Sequence, residues 1–289
     1  MVVYGFVHEV IENERIISII ENDHVAYYYA TKSLFSAFQK YLDEDIIIYF
    51  NTLDVKKIIH GKSAKKIESI IKIMYPKKHG SEIFYDVTMI KAGIKDLINE
   101  EGNHLFLDLE MTMPEYGEFG TYVSEVIEAG YVLCNKNDVV IEKNLLYIKP
   151  TREKELSSRA VKFLHINKED VMSGISFKEF YDKLKSIIDE YHPMVVVWGR
   201  NDILSLKEAY IINDLPNLNT QIRFVDLLKV HKNYFSLKND LGLFNTYAKY
   251  TGEKEDQSHD ALVDATYTKE VFKYFKKLCN GKIDIKFEE

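Results

Sequence analysis

The chain has 289 residues, of which 46% are hydrophobic and 13% aromatic, with only 5 prolines and 13 glycines. That composition excludes a disordered or linker-rich chain, and the length suits two domains or one domain with a large extension. A formal net charge of −7 excludes a global basic field for drawing in polyanions, so any such attraction must come from local patches or bound cations.

The first 75 residues are expected to be mostly strand. Val2 to Ile11 is rich in β-branched and aromatic residues. Arg15 to Ile20 follows a turn at Asn13-Glu14, and Val25 to Thr31 follows one at Asn22-Asp23. Ser33 is the expected helix cap, with Leu34, Phe35, Phe38, Tyr41 and Leu42 on one helical face. Asp45 to Phe50 supplies a fourth strand. Val55 to His60 and Lys66 to Ile73 supply one or two more around Gly61-Lys62. Three strands, a helix and two strands is the order of an OB-fold, although a small barrel of another topology would give much the same pattern.

This stretch also carries charge. Between Lys56 and Lys78 there are eight lysines and one acid, Glu68, and Tyr27, Tyr28 and Tyr29 lie on a preceding strand. A basic groove with aromatic platforms is how OB-folds hold single strands. A solvated basic face beside core tyrosines is the alternative. Alternation puts Tyr27 and Tyr29 on one face and Tyr28 on the other, so at least one tyrosine is expected in the core. Tyr27, Tyr29, Lys62, Lys65 and Lys66 are the candidate strand-holding residues.

Tyr75 to Gly80 reads as an exit loop, and Thr88 to Glu100 as a connecting helix before a turn at Glu101-Gly102-Asn103. Residues 1–75 are thus expected as a barrel domain, 76–102 as a linker with a short helix, and 103–289 as a second domain. In the latter, His104 to Glu110 is a short apolar strand. Tyr122 to Cys134 and Val139 to Ile148 are two more, around a hairpin turn. Helical segments follow at Ser157 to Phe163 and Ser176 to Tyr191. Met194 to Trp198 is a buried strand, Asp202 to Asn213 a helix, Ile222 to Val225 a strand, and the rest to about Leu278 helical. A three-strand meander followed by alternating helices and strands makes a mixed sheet with flanking helices. Cys134 and Cys279 have no C-x-x-C partner and read as reduced small residues. No uncharged run is long enough for a leader or a membrane span, so a cytoplasmic protein without a membrane partner is expected.

Three places carry chemistry. Asp108 and Glu110 lie two apart on an apolar strand and so share one face. An exposed face would explain them, but Phe106, Leu107 and Leu109 point to a central strand, where paired acids need a metal or a proton. Asp202 follows an apolar strand and a polar turn, where ligand sites of open α/β sheets lie. Capping its own helix is the competing reading. His259 and Asp264 are five residues apart, about 140° from stacking on a helix, so the histidine belongs at the helix entrance with Asp264 deeper. A surface histidine and a first-turn acid favoured by the helix dipole are the alternatives, and Asp260 competes for the latter role.

Asp-x-Glu on the first strand of a sheet, Asp after a later strand, and His-x4-Asp opening the last long helix together resemble the three-part signature of DEDDh 3′→5′ exonucleases. The resemblance covers Asn103 to about Leu278. Asp108-Leu109-Glu110-Met111-Thr112, Glu125-Val126-Ile127-Glu128-Ala129-Gly130, Phe177 to Phe180 and Trp198-Gly199 are similar to the branch with histone-mRNA 3′-exonucleases, Eri-1-like and KapD-like proteins. It implies an RNase H-like α/β domain with a mixed five-stranded sheet and flanking helices, which would follow the OB-like barrel expected from the strand pattern of residues 1–75. It also implies two divalent cations, Mg²⁺ or Mn²⁺, about 3.5–4 Å apart. Asp108 would bridge them, Glu110 and Asp264 hold one, and Asp202 support the other. His259 would deprotonate the attacking water. Met111 and Thr112 match residues that contact the terminal nucleotide, with core packing as the alternative for Met111. Tyr116 and Phe119 are candidates to stack on a base or to pack their own loop. The implied substrate is the 3′ end of single-stranded RNA; a 3′→5′ DNA exonuclease for repair or proofreading is the first alternative, and a non-catalytic nucleic-acid-binding adaptor the second.

Overall fold

Along Val2–Ile11 every second residue from Val3 to Val7 is buried, the period of a strand with one face on a core. The computed structural model describes residues 1–59, 61–117, 122–254 and 259–287. Within it, Met1–Gly93 and Ile94–Glu289 are two compact units.

In the first unit, β1 (Val2–Ile11), β2 (Ile16–Glu21) and β3 (His24–Tyr29) form an antiparallel meander. Helix α1 (Lys32–Phe38) precedes β4 (Ile47–Ile59) and β5 (Lys62–Pro76). The strand order is β3-β2-β1-β4-β5, and a parallel pairing of β3 with β5 through Tyr27↔Ala64, Tyr28↔Lys65 and Tyr29↔Lys66 closes five strands into an OB-like barrel. Ile17, Ile19, Tyr28, Phe35, Ile48, Phe50, Ile67 and Ile73 fill it.

Local details differ from expectation in three ways. Thr31, not Ser33, caps α1: its extended backbone lets the hydroxyl accept from Leu34 N at 3.3 Å. The stretches expected as separate strands on either side of residue 51 are one 13-residue strand, bent by register shifts between Tyr49 and Lys56. His60, expected at its end, lies outside the described residues. Residues 76–102, expected as exit loop and linker, also supply β6 (Ser81–Asp86), which returns antiparallel along β5. The helix expected there is α2 (Val87–Asn99), whose start is held by Asp86, accepting from Thr88 N and Thr88 Oγ1.

In the second unit, β7 (His104–Met111), β8 (Val126–Cys134) and β9 (Val140–Lys149) form the expected meander. Then come α3 (Ser158–Leu164), α4 (Lys168–Met172), β10 (Ile175–Ser176), α5 (Phe177–Tyr191), β11 (Met194–Val197) and α6 (Asn201–Ile212). The chain continues through β12 (Arg223–Asp226), α7 (Leu227–Phe235), α8 (Leu243–Thr251) and α9 (Ala261–Cys279). The sheet order is β10-β9-β8-β7-β11-β12, with β11 and β12 parallel to β7. Its five main strands have the RNase H-like arrangement, and two-residue β10 adds a short edge.

Burial on both faces makes β8 wholly buried. Leu105, Leu107 and Leu109 of β7 pack with Phe180, Leu184 and Leu206 from α5 and α6. The alternate residues, His104 and Phe106, meet Phe272 of α9, with Phe106 and Phe272 edge to face at 5.5 Å. Burying rings of that size stabilises by roughly 1.5–3 kcal/mol each. The same alternation continues to Asp108 and Glu110, which therefore lie on the α9 side.

Candidate active site

The site is assembled from three chain segments. β7 delivers Asp108 and Glu110 by its period of two. β11 ends at Val197 and turns through Gly199, whose φ of 99° favours glycine, into α6 and Asp202. Asp202 does not cap α6. Its Oδ1 instead accepts from Leu109 N at 3.1 Å, gripping β7 between the two strand acids.

The third segment is the entrance of α9. Asp260 is its N-cap, accepting from Leu262 N and Val263 N, so the capping role falls to Asp260 and Asp264 sits buried one turn in. His259 lies just before the cap with φ 51°, as its spacing from Asp264 required. α9 comes this close because Gly130 of β8 has no side chain: a Cβ there would lie 2.0 Å from the Ala261 carbonyl carbon.

Ligand atoms of Glu110, His259 and Asp264 lie within 4.8 Å of one another, and His259 Nδ1 is 3.9 Å from Glu110 Oε1. The Phe163 ring of α3 leans on the imidazole at 4.2 Å. Burial, then the neighbouring His165, lowers the pKa of His259. The acids move the other way. Glu110 is pushed up to about 8 by burial, then by Asp264 and Glu128. Asp202 is pushed up to about 7 by burial, against its backbone hydrogen bonds. Asp108 stands well above the carboxylate range through burial, then Asp202, Asp264 and Glu110. Acids this crowded hold protons or share a cation. The donors are hard carboxylate oxygens, the set that suits Mg²⁺ or Mn²⁺. The residues therefore fit a divalent cation.

The other candidates are placed as follows. Met111 is half-buried against the core below the sheet. Thr112 is buried, and its Oγ1 accepts from Glu125 N at 2.9 Å. Tyr116 is 69% exposed, with the Arg159 guanidinium 5.7 Å from its ring centre. Phe119 lies outside the described residues. In the first unit, Tyr28 is the core tyrosine and its hydroxyl donates to Glu21. Tyr27 and Tyr29 are only half-buried, Lys62 Nζ lies 4.3 Å over the Tyr27 ring, and Lys65 and Lys66 pair with Tyr28 and Tyr29.

Two neighbours of the site were not assigned to it from the sequence, although one of them, Glu128, stands in the motif quoted for the family resemblance. Glu128 stands opposite Glu110 in the β7–β8 register and is pushed up to about 7, mainly by burial. Its signal was a single acid in an otherwise uncharged nine-residue strand. Phe163 had no signal, because nothing in the spacing of α3 and His259 tells that they meet.

The profile of a family described as Exonuclease, of the RNase T type, matches residues 105–272. The chain is similar to the probable 3′-5′ exonuclease KapD of Bacillus subtilis (strain 168), with 31% identity over 172 residues, covering 58% of this chain and 82% of that protein. Among solved structures it is similar to the nuclease domain of 3′hExo, a DEDDh family member bound to rAMP. The TM-score is 0.55 at 17% identity, covering 65% of this chain and 98% of that one. Cell-death related nuclease 4 gives a TM-score of 0.52 at 18% identity, covering 64% of this chain and 66% of that one.

Proposed function

This chain belongs to the exonuclease family, and from that premise we propose that it is a 3′→5′ exonuclease of the DEDDh type that removes nucleoside 5′-monophosphates from the 3′ end of single-stranded RNA, using two Mg²⁺ or Mn²⁺ ions. The observation that carries this is the convergence of Asp108, Glu110, Asp202 and Asp264 with His259 at 3.9 Å from Glu110. The RNA half of the reading is supported by the Asp108 to Thr112 motif, similar to the histone-mRNA branch, and by the barrel's basic and aromatic residues.

Bound divalent cations would neutralise the phosphodiester and polarise its oxygens and the attacking water. Asp108, Glu110 and Asp264 would hold them, with Asp202 in support. Asp202 also keeps the β7 backbone in place through Leu109 N. His259, with its lowered pKa, is neutral at pH 7 and able to take a proton on its imidazole as water attacks phosphorus. The bond from phosphorus to the 3′ oxygen breaks, leaving a shortened strand with a 3′-hydroxyl and a free 5′-monophosphate. Thr112 and Tyr116 would border the terminal nucleotide, whereas Met111 packs against the core on the other face of β7 from the acids. With the Thr112 hydroxyl engaged by Glu125 N, its share is to fix the loop. Tyr27, Tyr29, Lys62, Lys65 and Lys66 would hold single strand.

The test is digestion of 5′-labelled single-stranded RNA and DNA of one sequence across a Mg²⁺ and Mn²⁺ titration. A ladder shortening from the 3′ end, faster on RNA, is expected. Equal or faster DNA cleavage would reassign the substrate, and no metal-dependent ladder on either would end the proposal.

A further inference from the structure

We propose that Glu128 is a positioning residue that seats the entrance of α9, and with it His259 and Asp264, against the acids of β7. The proposal rests on the exonuclease reading of that centre.

Glu128 is 1% exposed, in a strand whose other residues are apolar apart from the phenol of Tyr131. A buried carboxylate is costly without a strong partner. Its Oε1 accepts from Ala261 N at 2.8 Å, across 133 positions of sequence. A charged acceptor at a helix start is a favourable pairing, since the first N–H groups lack partners within the helix and carry partial positive charge.

Three donors of the first turn divide between two acids. Leu262 N and Val263 N go to Asp260, which belongs to the same segment and shapes only the local start. Ala261 N goes to Glu128, which ties that start to the sheet. Gly130, two residues along and therefore on the same face of β8, lets the Ala261 backbone lie directly on the strand. β8 thus fixes Ala261 at two points. Ala261 stands two residues after His259 and three before Asp264, so both follow its placement. Glu128 also faces Glu110 across β7 and β8, which makes it the shared neighbour of both halves of the site.

The rival role for Glu128 is a further cation ligand. Two conservative variants of the full chain separate the roles. Glu128→Gln keeps the length and a carbonyl acceptor for Ala261 N but loses the charge. Glu128→Asp keeps the charge but draws the oxygens back by one methylene. Each is measured for kcat and KM on single-stranded RNA with Mn²⁺, for Mn²⁺ affinity by calorimetry, and for melting temperature.

Positioning predicts that Glu128→Asp loses about 10²-fold in kcat with KM little changed, as misplacement of about 1 Å does. Its Mn²⁺ affinity should fall about 10-fold. Glu128→Gln should stay within about 3-fold of wild type in both. Greater damage in Glu128→Gln than in Glu128→Asp would overturn the proposal in favour of a ligand. So would wild-type kcat in both variants, or a lowered melting temperature with no kcat–KM split. If the wild type itself cleaves nothing, the exonuclease reading fails, and the order of Mn²⁺ affinities alone still decides the role of Glu128.

Discussion

Asp202 Oδ1 and Leu109 N are joined by a 3.1 Å hydrogen bond across 93 residues of sequence, at the strand position between Asp108 and Glu110. One carboxylate thereby locks the strand that carries two others. Its second oxygen remains a donor toward a cation. Asp202→Asn keeps an acceptor for Leu109 N and removes a charge from a crowded cluster. We expect a folded protein, with an apo melting temperature at or above wild type and exonuclease activity down at least about 100-fold. Asp202→Ala should also lose stability, by about 1–3 kcal/mol for the orphaned N–H. Denaturant melts and a ladder assay check both, and full activity in Asp202→Asn would remove Asp202 from the ligand set.

Asp108→Ala and Glu110→Ala should each lower cleavage by at least about 100-fold and weaken Mn²⁺ binding in calorimetry, while circular dichroism stays unchanged. Either variant degrading RNA at the wild-type rate would contradict the assignment.

Stability without metal should fall as pH rises from 7 to 9. Folding lifts Glu110 to about 8 and Asp202 and Glu128 to about 7. The unfolded carboxyls titrate near 4. The folded state therefore binds more protons in that window, and their loss costs stability as pH climbs. His231, buried and lowered to about 3, acts in the opposite sense only below its unfolded value of about 6.5, so it does not interfere. Mg²⁺ should raise the melting temperature more at pH 9 than at pH 7. Melts in EDTA and in Mg²⁺ at both values test this, and an apo protein that gains stability toward pH 9 would refute it.

Gly130→Ala places a methyl 2.0 Å from the Ala261 carbonyl carbon, so α9 must shift. A destabilisation of about 1–3 kcal/mol is expected, accompanied by a fall in kcat larger than any change in KM. Thermal melts with steady-state kinetics would show it, and unchanged kcat would mean that the α9 entrance tolerates displacement.

Lys62→Ala, Lys65→Ala and Lys66→Ala combined should weaken single-strand binding with little effect on the cleavage of a trinucleotide. Each phosphate that is no longer neutralised by a lysine should reduce the slope of log affinity against log salt by about 0.7. Fluorescence anisotropy across a salt series measures the slope. An unchanged slope would make these lysines an ordinary solvated face.

Legibility in the sequence followed the range of the interaction. Asp108 and Glu110 could be read from period-two geometry, and His259 was placed at a helix entrance by its spacing from Asp264. The cap was expected at Ser33 and lies at Thr31, two residues earlier, because either hydroxyl can cap and the backbone angle decides. The 13-residue β4 looked like two strands because its register shifts break the alternation.

By itself, the sequence determined the order of the strands and helices that carry the site residues, the shared face of the two strand acids, and the set of carboxylates that could hold a cation. Those are consequences of local periodicity and residue chemistry. Only the tertiary structure decided that Asp202 serves Leu109 rather than its own helix and that Asp260 takes the cap. It alone brought Glu128 to Ala261 and Phe163 to His259. Each of these contacts except the cap joins segments far apart in the chain. Which segments meet is set by how sheet and helices pack, and by where a residue without a side chain, Gly130, lets backbones touch.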